Sequence, residues 1–535
     1  MLMKWLRSSL STPSKCDSKS MDHSEASSVH LESLGPLEVP VPPHDTKDNI
    51  DDEEEYYSAF KRGAKVFIVV LASTSAFMSP FSVNIYMPAV PDISHDLDID
   101  SSQTLLSVTT YMIFQGISPS IWAPLSDTYG RRPILILTFV VFLIANLGLS
   151  FTRVYWLLLV LRMLQACGAS SAISIGAGCI SDVSRRKERG TYMGFFQTGT
   201  LLGPAVGPIV GGLVSQTWNW HAVFFFLSAF GGVYLLLMVL ILPESLRFLV
   251  GDGSLKPYGI WRTVIPISMT DDTVEQDKRD TEKGEWMHKP PPLNLRTMGF
   301  DKPWRMFGHA DLALMITSFS IPFGVYTMVS SSLSPTLRTA YEYDSIISGL
   351  CFIPLGAGSA IGSVVSGKLL DYEYAKASRK HGDNMNLHHA RLRHALLFNV
   401  LFTVTTLANG WCIDYKVLSK PVHIAAPMVL QFVLSFASIL YFNAIQTILV
   451  DLSPGRAASV TAALNIGRCL VGAGFVAAVQ YVIDDIGNGW TFTVFGLGSL
   501  VLSAPLLEFV IRRGPHWNAV RERKIANEAS KTEAQ

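Results

Sequence analysis

The sequence predicts an all-α polytopic membrane protein with twelve transmembrane helices arranged as two six-helix bundles. Its 535 residues have a mean hydropathy of +0.30, 49% of them are hydrophobic and 16% are charged. Soluble domains carry about 25% charged residues, so this composition indicates a membrane protein. Twelve apolar windows of about 18–25 residues follow one another along the chain, and each is long enough to cross a bilayer.

The twelve windows, numbered here as the first to twelfth spans, form two sets of six separated by a longer polar stretch. The first set comprises residues 64–89, 105–123, 133–150, 156–179, 192–214 and 223–242. The second set comprises residues 312–333, 347–369, 395–412, 424–450, 457–479 and 492–511. An even number of spans predicts that both chain ends lie on the same side of the membrane.

The composition outside the spans completes the predicted organisation. Residues 1–60 are rich in Ser, Pro and acidic residues, which predicts a disordered cytoplasmic tail. Residues 61–242 and 310–513 are the predicted N-terminal and C-terminal bundles. Residues 243–309 are a predicted cytoplasmic linker, and residues 514–535 are a predicted cytoplasmic C-terminal tail.

Lysine and arginine mark one side of the membrane. The loops on the side of the chain ends carry most of the positive charge, including Arg131, Arg132 and the cluster from Arg185 to Arg189. The opposite loops hold only Arg153, Arg338, Lys416 and Lys420. Because positive charge accumulates in cytoplasmic loops, we predict that both termini are cytoplasmic.

A short charged loop joins the second and third spans and contains Asp127, Gly130, Arg131 and Arg132. The two arginines alone would anchor the loop on the cytoplasmic side. Asp127 is not needed for anchoring, and at a helix end it can hold neighbouring helix termini together. The loop after the eighth span contains Asp371 in a similar place, which predicts a gating role for these five residues.

The two halves repeat further loop chemistry. Asp182-Val183-Ser184 precedes the fifth span, and Asp451-Leu452-Ser453 precedes the eleventh. Such repetition indicates two bundles related by an axis along the membrane normal. A site between them, near the midplane, could be exposed to either side in turn by a rocking motion.

Several motifs identify a family. Asp127 and Gly130-Arg131-Arg132 follow the second span, Arg162 and Gln165 lie in the fourth, and a glycine series occupies the fifth. On these motifs the chain resembles the major facilitator superfamily. Three further segments make it similar to the fungal twelve-span drug:proton antiporters of the quinidine-resistance type. They are Pro243-Glu244-Ser245-Leu246-Arg247, Gly349-Leu350-Cys351-Phe352-Ile353-Pro354 and Asn465-Ile466-Gly467-Arg468-Cys469. Ala123 and Thr128 depart from the usual glycine and arginine.

The resemblance implies the major facilitator fold and the transport of a small molecule. It also implies exchange for protons, with the proton gradient as energy source and no cofactor. No carboxylate lies in the middle of any span, so the proton coupling comes from the resemblance and not from an identified carrier.

The fifth span has a special surface. Gly199, Gly203, Gly207 and Gly211 recur every four residues and give a smooth face that another helix backbone can approach. Pro204 removes a hydrogen-bond donor and bends the helix. Tight packing with a kink accounts for this pattern. The resemblance adds a second interpretation, an antiporter helix whose bend seals a path between the bundles.

Two arginines lie inside apolar spans. An arginine at the centre of a transmembrane helix costs at least ~2.5–3.5 kcal/mol, so it must face water, a partner or a ligand. For Arg162, satisfaction by backbone and amide groups and a functional role are both open. Arg468 lies at mid-depth in the eleventh span, which favours a role facing a cavity.

Polar side chains within spans supply the remaining candidates for a substrate or coupling site. Single residues of this kind are more typical of hydrogen bonding between helices, but as a set they predict a mixed polar pocket. The candidates besides Arg162 and Arg468 are Asn84, Gln165, Gln197, Asn443, Gln446 and Asn465. Two cations without a central carboxylate favour an anionic or neutral substrate.

We therefore predict a membrane transporter that exports drugs, toxins, weak acids or secondary metabolites by alternating access. Its expected partners are a small-molecule substrate and the lipid bilayer, without nucleic acid or metal, and it is expected to be a monomer in the plasma membrane. The alternatives are a proton-coupled importer of a metabolite on the same fold and a non-transporting membrane sensor. An enzyme is not predicted, because the spans lack a metal box, a nucleophile motif or paired carboxylates.

Overall fold

The computed structural model describes residues 60–184, 186–251, 255, 257–265, 300–381, 387–415, 424–452 and 457–533. The predicted tail up to residue 59 and most of the predicted linker lie outside the described residues. All regular elements within the described residues are helices. This agrees with the all-α fold that the hydropathy pattern predicts.

The helices are numbered here in chain order. The first half contains α1 (Arg62–Asn84), α2 (Val90–Asp96), α3 (Ser101–Ile117), α4 (Pro119–Tyr129), α5 (Arg131–Ser150), α6 (Tyr155–Val183), α7 (Arg186–Thr217), α8 (Trp220–Ile241) and α9 (Arg247–Val250). The second half contains α10 (Lys302–Met306), α11 (Ala310–Tyr341), α12 (Ser345–Leu350), α13 (Ile353–His381), α14 (Leu387–Leu392), α15 (Ala395–Tyr415), α16 (Ala425–Asp451) and α17 (Ala457–Glu533). Short 3₁₀-helices lie at Met87–Ala89 and Gly259–Trp261.

Ten helical segments of the described residues are long and apolar enough to cross a membrane. Two exceptions in the pattern account for the other two predicted spans. The second span is divided into α3 and α4 at Pro119, and each piece is shorter than a full span. The eleventh and twelfth spans are merged in α17, where Gly487 (φ 80°) separates them. With these two exceptions, the helices of the described residues lie where the sequence predicts the twelve spans.

Many hydroxyl groups within the spans donate to a carbonyl of the preceding turn. Ser73 donates to the carbonyl of Val69 at 2.7 Å, and Ser82 donates to that of Met78 at 2.7 Å. Such bonds to the preceding turn allow hydroxyl groups to lie inside an apolar helix without an unpaired donor. The outward side chains of the spans, such as Val233 and Val501, are apolar and suit contact with lipid.

The helices end on two sides of the membrane, called here the basic side and the opposite side. The basic side is the side on which the loop with Arg131 lies, together with the ends of the fourth, sixth and tenth spans. The opposite side is the side on which the first span ends at Asp96 and the seventh span ends at Tyr341. The candidate site residues lie at the basic side, at mid-depth and at the opposite side.

Candidate functional site

On the basic side, Arg131 connects the ends of three helices. Its Nε donates to Oδ2 of Asp182 at 2.9 Å, and its Nη1 donates to the hydroxyl of Ser126 at 3.0 Å and to Asp127. The arginine side chain is 11% exposed, whereas that of Asp127 is 60% exposed. Arg131 therefore pairs with one carboxylate near the protein interior and one near the surface.

The loop predicted around Arg131 is shorter than its sequence indicates. Helix α4 continues through Asp127 to Tyr129, and only Gly130 separates it from α5. Gly130 has φ 109°, a conformation that favours glycine. A Cβ atom there would lie 2.5 Å from Oε2 of Glu244, so the turn also leaves no room for a side chain.

Glu244 completes this corner, although the sequence predicts no structural role for it. Its carboxylate accepts the backbone N–H groups of Arg131 at 2.9 Å and Arg132 at 3.2 Å, and so caps the start of α5. It also accepts those of Ser245 and Leu246, each at 3.0 Å. Burial raises the pKa of the Glu244 carboxyl, while these four N–H donors act in the opposite direction.

Further contacts bind the end of the sixth span and the segment after it to the same corner. Nη2 of Arg132 donates to the carbonyl of Val239 at 2.7 Å, and its Nη1 donates to that of Ile260. The indole N–H of Trp261 donates to the carbonyl of Tyr129 at 2.7 Å. We call Asp127, Arg131, Asp182 and Glu244 the first basic-side cluster.

The C-terminal half places its charges differently. Asp371, the predicted gating residue, is exposed and makes no ion pair within the described part of the chain. Two residues later, the buried Glu373 pairs with Arg393 at 3.2 Å and lies 3.4 Å from Nε2 of His394. On this side of the second bundle, the ion pair is therefore made by Glu373 and not by the predicted Asp371.

A second pair links α14, which precedes the ninth span, to the end of the tenth span. Nε of Arg391 donates to Oδ2 of Asp451 at 3.0 Å, and its guanidinium lies 4.5 Å from the ring centre of Tyr374. Asp451 corresponds to Asp182 in the repeated loop chemistry of the two halves. We call Glu373, Arg391, Arg393 and Asp451 the second basic-side cluster.

Within the first bundle, Arg162 lies about two turns into the fourth span and is completely buried. Its guanidinium lies 4.2 Å from the ring centre of Tyr86 and 4.6 Å from that of Tyr111. Nη1 donates to Oε1 of Gln165 at 2.7 Å, and Gln165 in turn donates to Asn146 at 2.7 Å. Nε and Nη2 have no hydrogen-bond partner among the described residues. Aromatic faces rather than a carboxylate thus stabilise this cation.

At mid-depth between the bundles, Arg468 is half-buried and bonded to Asn465. Oδ1 of Asn465 accepts from Nε at 3.1 Å and from Nη2 at 2.9 Å. Nδ2 of Asn465 donates to the carbonyl of Gln115 in the second span at 3.0 Å. The guanidinium also lies 5.3 Å from the ring centre of Phe323. Asn465 therefore contacts both the cation and the other bundle.

The other polar candidates are not gathered into one constellation. Nδ2 of Asn84 donates to the carbonyl of Pro80 in its own helix at 2.7 Å. Gln197 is exposed, and Asn443 and Gln446 are half-buried. None of these last three makes a side-chain hydrogen bond to another described residue.

The glycines of the fifth span face the first span within the same bundle. A Cβ atom at Gly199 would lie 2.5 Å from the carbonyl oxygen of Ser73, and one at Gly203 would lie 2.7 Å from the amide nitrogen of Phe81. Gly207 and Gly211 meet the same helix at Asn84 and Ile85. Pro204 lies inside α7 between these contacts.

The next face of the fifth span meets the second bundle. A Cβ atom at Gly349 in the eighth span would meet the carbonyl of Pro208, and one at Gly356 would lie 2.6 Å from Cα of Ala205. Glycine at these positions allows the two bundles to approach closely. The fifth span therefore packs against both bundles.

On the opposite side, Asp92 joins the two bundles. Its Oδ1 accepts from Nη1 of Arg338 at 2.6 Å. Its Oδ2 accepts from the hydroxyls of Ser215 at 2.9 Å and Ser345 at 2.8 Å. These residues come from the first, fifth, seventh and eighth spans, so one carboxylate connects four helices. Nothing in the sequence distinguishes Asp92 from other carboxylates at span ends, so its contacts are visible only in the fold.

Known proteins resemble this chain in sequence and fold. The model of the Major Facilitator Superfamily matches residues 72–477. Citrate exporter 1 of Aspergillus niger is 35% identical over 497 residues, which cover 89% of this chain and 91% of the relative. The multidrug transporter AQR1 of Candida glabrata is 29% identical over 486 residues, which cover 88% and 80% of the two chains. A crystal structure of a D-xylose–proton symporter matches 82% of this chain and 97% of its own with a TM-score of 0.59, at 15% identity.

Proposed function

Since this chain belongs to the Major Facilitator Superfamily, a family of membrane transporters, we propose that it exports small organic molecules by alternating access. The superfamily and fold that its motifs predict are confirmed. The proposed substrates are drugs, toxins, weak acids or secondary metabolites, and the proposed driving force is exchange for protons.

The observation that supports alternating access best is the contact between the bundles at Asp92. One carboxylate accepts from Arg338 and Ser345 of the second bundle and from Ser215 of the first. Rotation of one bundle against the other would break the bonds to Arg338 and Ser345 together, and the bond to Ser215 would stay within the first bundle. Such a set of contacts suits a closure that forms and breaks as a unit.

Two features support the direction and location of transport. The relatives named above are an exporter and a multidrug transporter, and this favours export over the alternative of import. The positive charge on the basic side favours a cytoplasmic position for that side and for both termini. The plasma membrane is the proposed location, since export from a cell takes place there.

An efflux assay tests the proposal. Fungal cells with and without the full chain are loaded with radiolabelled benzoate, radiolabelled citrate or the cationic dye rhodamine 6G, and loss from the cells is followed. We expect the chain to increase the rate of loss of at least one compound, and a protonophore to abolish the increase. Greater retention in expressing cells would favour import. If cells with and without the chain lose each of the three compounds at the same rate, transport of this class is contradicted.

A further inference from the structure

We infer that the Nε/Nη2 edge of Arg468 binds a carboxylate of the substrate, and that Asn465 occupies this edge until the substrate displaces it. The inference rests on the proposed transport function and adds a substrate class, organic carboxylates. It also makes Asn465 a positioning residue that connects substrate binding to the contact between the bundles.

The guanidinium of Arg468 has a geometry that suits a carboxylate. Oδ1 of Asn465 accepts from both Nε and Nη2 of Arg468, at 3.1 and 2.9 Å. This edge offers two parallel N–H donors, the arrangement that carboxylates bind in bidentate fashion. A single neutral amide oxygen now occupies it, and a carboxylate would supply two oxygens and a compensating charge.

The position of Arg468 in the membrane also suits a substrate site. Arg468 lies about 16 Å along the helix from Ala457, which places it near the middle of a hydrocarbon core about 30 Å thick. Its side chain is half-buried and makes no ion pair with a described carboxylate. Arg162, in contrast, is completely buried between the rings of Tyr86 and Tyr111. Arg468 is therefore the more accessible of the two arginines within spans.

Asn465 connects the site at Arg468 to the second span in the other bundle. Nδ2 of Asn465 donates to the carbonyls of Gln115 at 3.0 Å and Gly116 at 3.4 Å. The helices are in close contact here, since a Cβ atom at Gly116 would lie 2.9 Å from Cβ of Cys469. A carboxylate that takes the edge of Arg468 leaves Oδ1 of Asn465 with only the thiol of Cys469, at 3.7 Å, as a donor. The amide must then reorient, and its bonds to the second span weaken as the substrate binds.

The test measures the affinity of purified full-length protein for benzoate and citrate by isothermal titration calorimetry, with benzamide as the uncharged counterpart of benzoate. Asn465→Ala removes the competing acceptor, so carboxylate affinity is expected to rise by about three- to tenfold. Asn465→Asp places a permanent carboxylate on the edge, and Arg468→Lys removes the planar pair of donors. Each is expected to weaken carboxylate binding at least about tenfold.

Asn399→Ala is the matched control. Its amide donates to Ser503 within the second bundle at 2.8 Å and does not bond to Arg468 or the second span. Loss of this buried amide should leave carboxylate affinity within about twofold of the wild type, a change smaller than one hydrogen bond to a charged group. Thermal unfolding of every variant checks that the chain remains folded.

Carboxylate affinity should rise in Asn465→Ala and fall in Asn465→Asp, and this opposite response is what distinguishes the proposed role. A purely structural amide predicts weaker binding in both variants, and that result would overturn it, as would failure of the wild type to bind either carboxylate. Equal affinity for benzamide and benzoate would also overturn it. Export of rhodamine 6G without export of carboxylates would overturn the inference and leave transport standing. Absence of export of every compound would contradict the proposed function itself.

Discussion

The two basic-side clusters occupy corresponding places in the two halves, yet they are built differently. In the first, Arg131 is nearly buried and bonds to Asp182 and Asp127, and the carboxylate of Glu244 caps the following helix. In the second, Arg391 bonds to Asp451, and Glu373 pairs with Arg393, which is 49% exposed. The shared element is an arginine that binds the aspartate at the end of the fourth or tenth span.

The difference comes from a segment outside the repeat. Glu244 and Trp261 follow the sixth span and bond to the turn at Gly130. In the second cluster, the described ion pairs join α13 and α16 to the segment between the eighth and ninth spans, which carries Arg391 and Arg393. We therefore expect the first cluster to be the more rigid of the two, and the following substitutions compare them.

Arg131→Ala should have the largest effect. It leaves Asp182, whose side chain is 15% exposed, without its ion-pair partner, and removal of one member of a buried pair costs about 3 kcal/mol or more. Arg391→Ala should cost about 1–2 kcal/mol, because Asp451 is 30% exposed and remains better solvated. Thermal unfolding of both purified variants measures the difference. Equal losses would show that the two clusters are equally rigid.

Glu244→Gln should have the next largest effect. The amide keeps the shape of the side chain, but its NH₂ group faces a backbone N–H that requires an acceptor. We expect a loss of about 1–2 kcal/mol. Glu373→Gln is the counterpart in the second cluster, and it should cost less because Glu373 bonds to side chains that can turn toward water. A larger loss for Glu373→Gln would reverse the comparison.

Asp127→Ala and Asp371→Ala should have the smallest effects on stability, below about 1 kcal/mol, because both carboxylates are exposed. Their effects on transport should differ. Asp127 bonds to Arg131, so its loss should slow efflux by an inserted protein, whereas Asp371 has no ion pair within the described residues and its loss should leave efflux unchanged. Equal impairment would restore the symmetric gating role that the sequence predicts.

The sequence predicts the spans well because each requires about 20 apolar residues, a signal carried by neighbouring positions. It predicts the helix ends less well. The second span has a break at Pro119, and α4 runs to Tyr129, six residues beyond the apolar window. The polar end of α4 is helical because it packs against α5 and α6, and hydropathy does not record such packing.

The site shows the same limit. Asp127 and Arg131 are one helical turn apart, so their pairing is visible in the sequence. Glu244 lies more than a hundred residues from Arg131. Its motif is visible in the sequence, but the residues that Glu244 contacts are not. Asp371 and Glu373 differ by two positions, which turn a helical side chain by about 200°. Sequence alone does not reveal which of these faces points toward Arg393.

The most direct test of alternating access is a reversible crosslink on the opposite side. Ser215 and Ser345 both bond to Oδ2 of Asp92, so cysteines at these positions, in a chain without its six native cysteines, should react with a short thiosulfonate crosslinker. The account predicts that crosslinking stops efflux, that reduction restores it, and that neither single-cysteine variant responds. Undiminished efflux by fully crosslinked protein would contradict it.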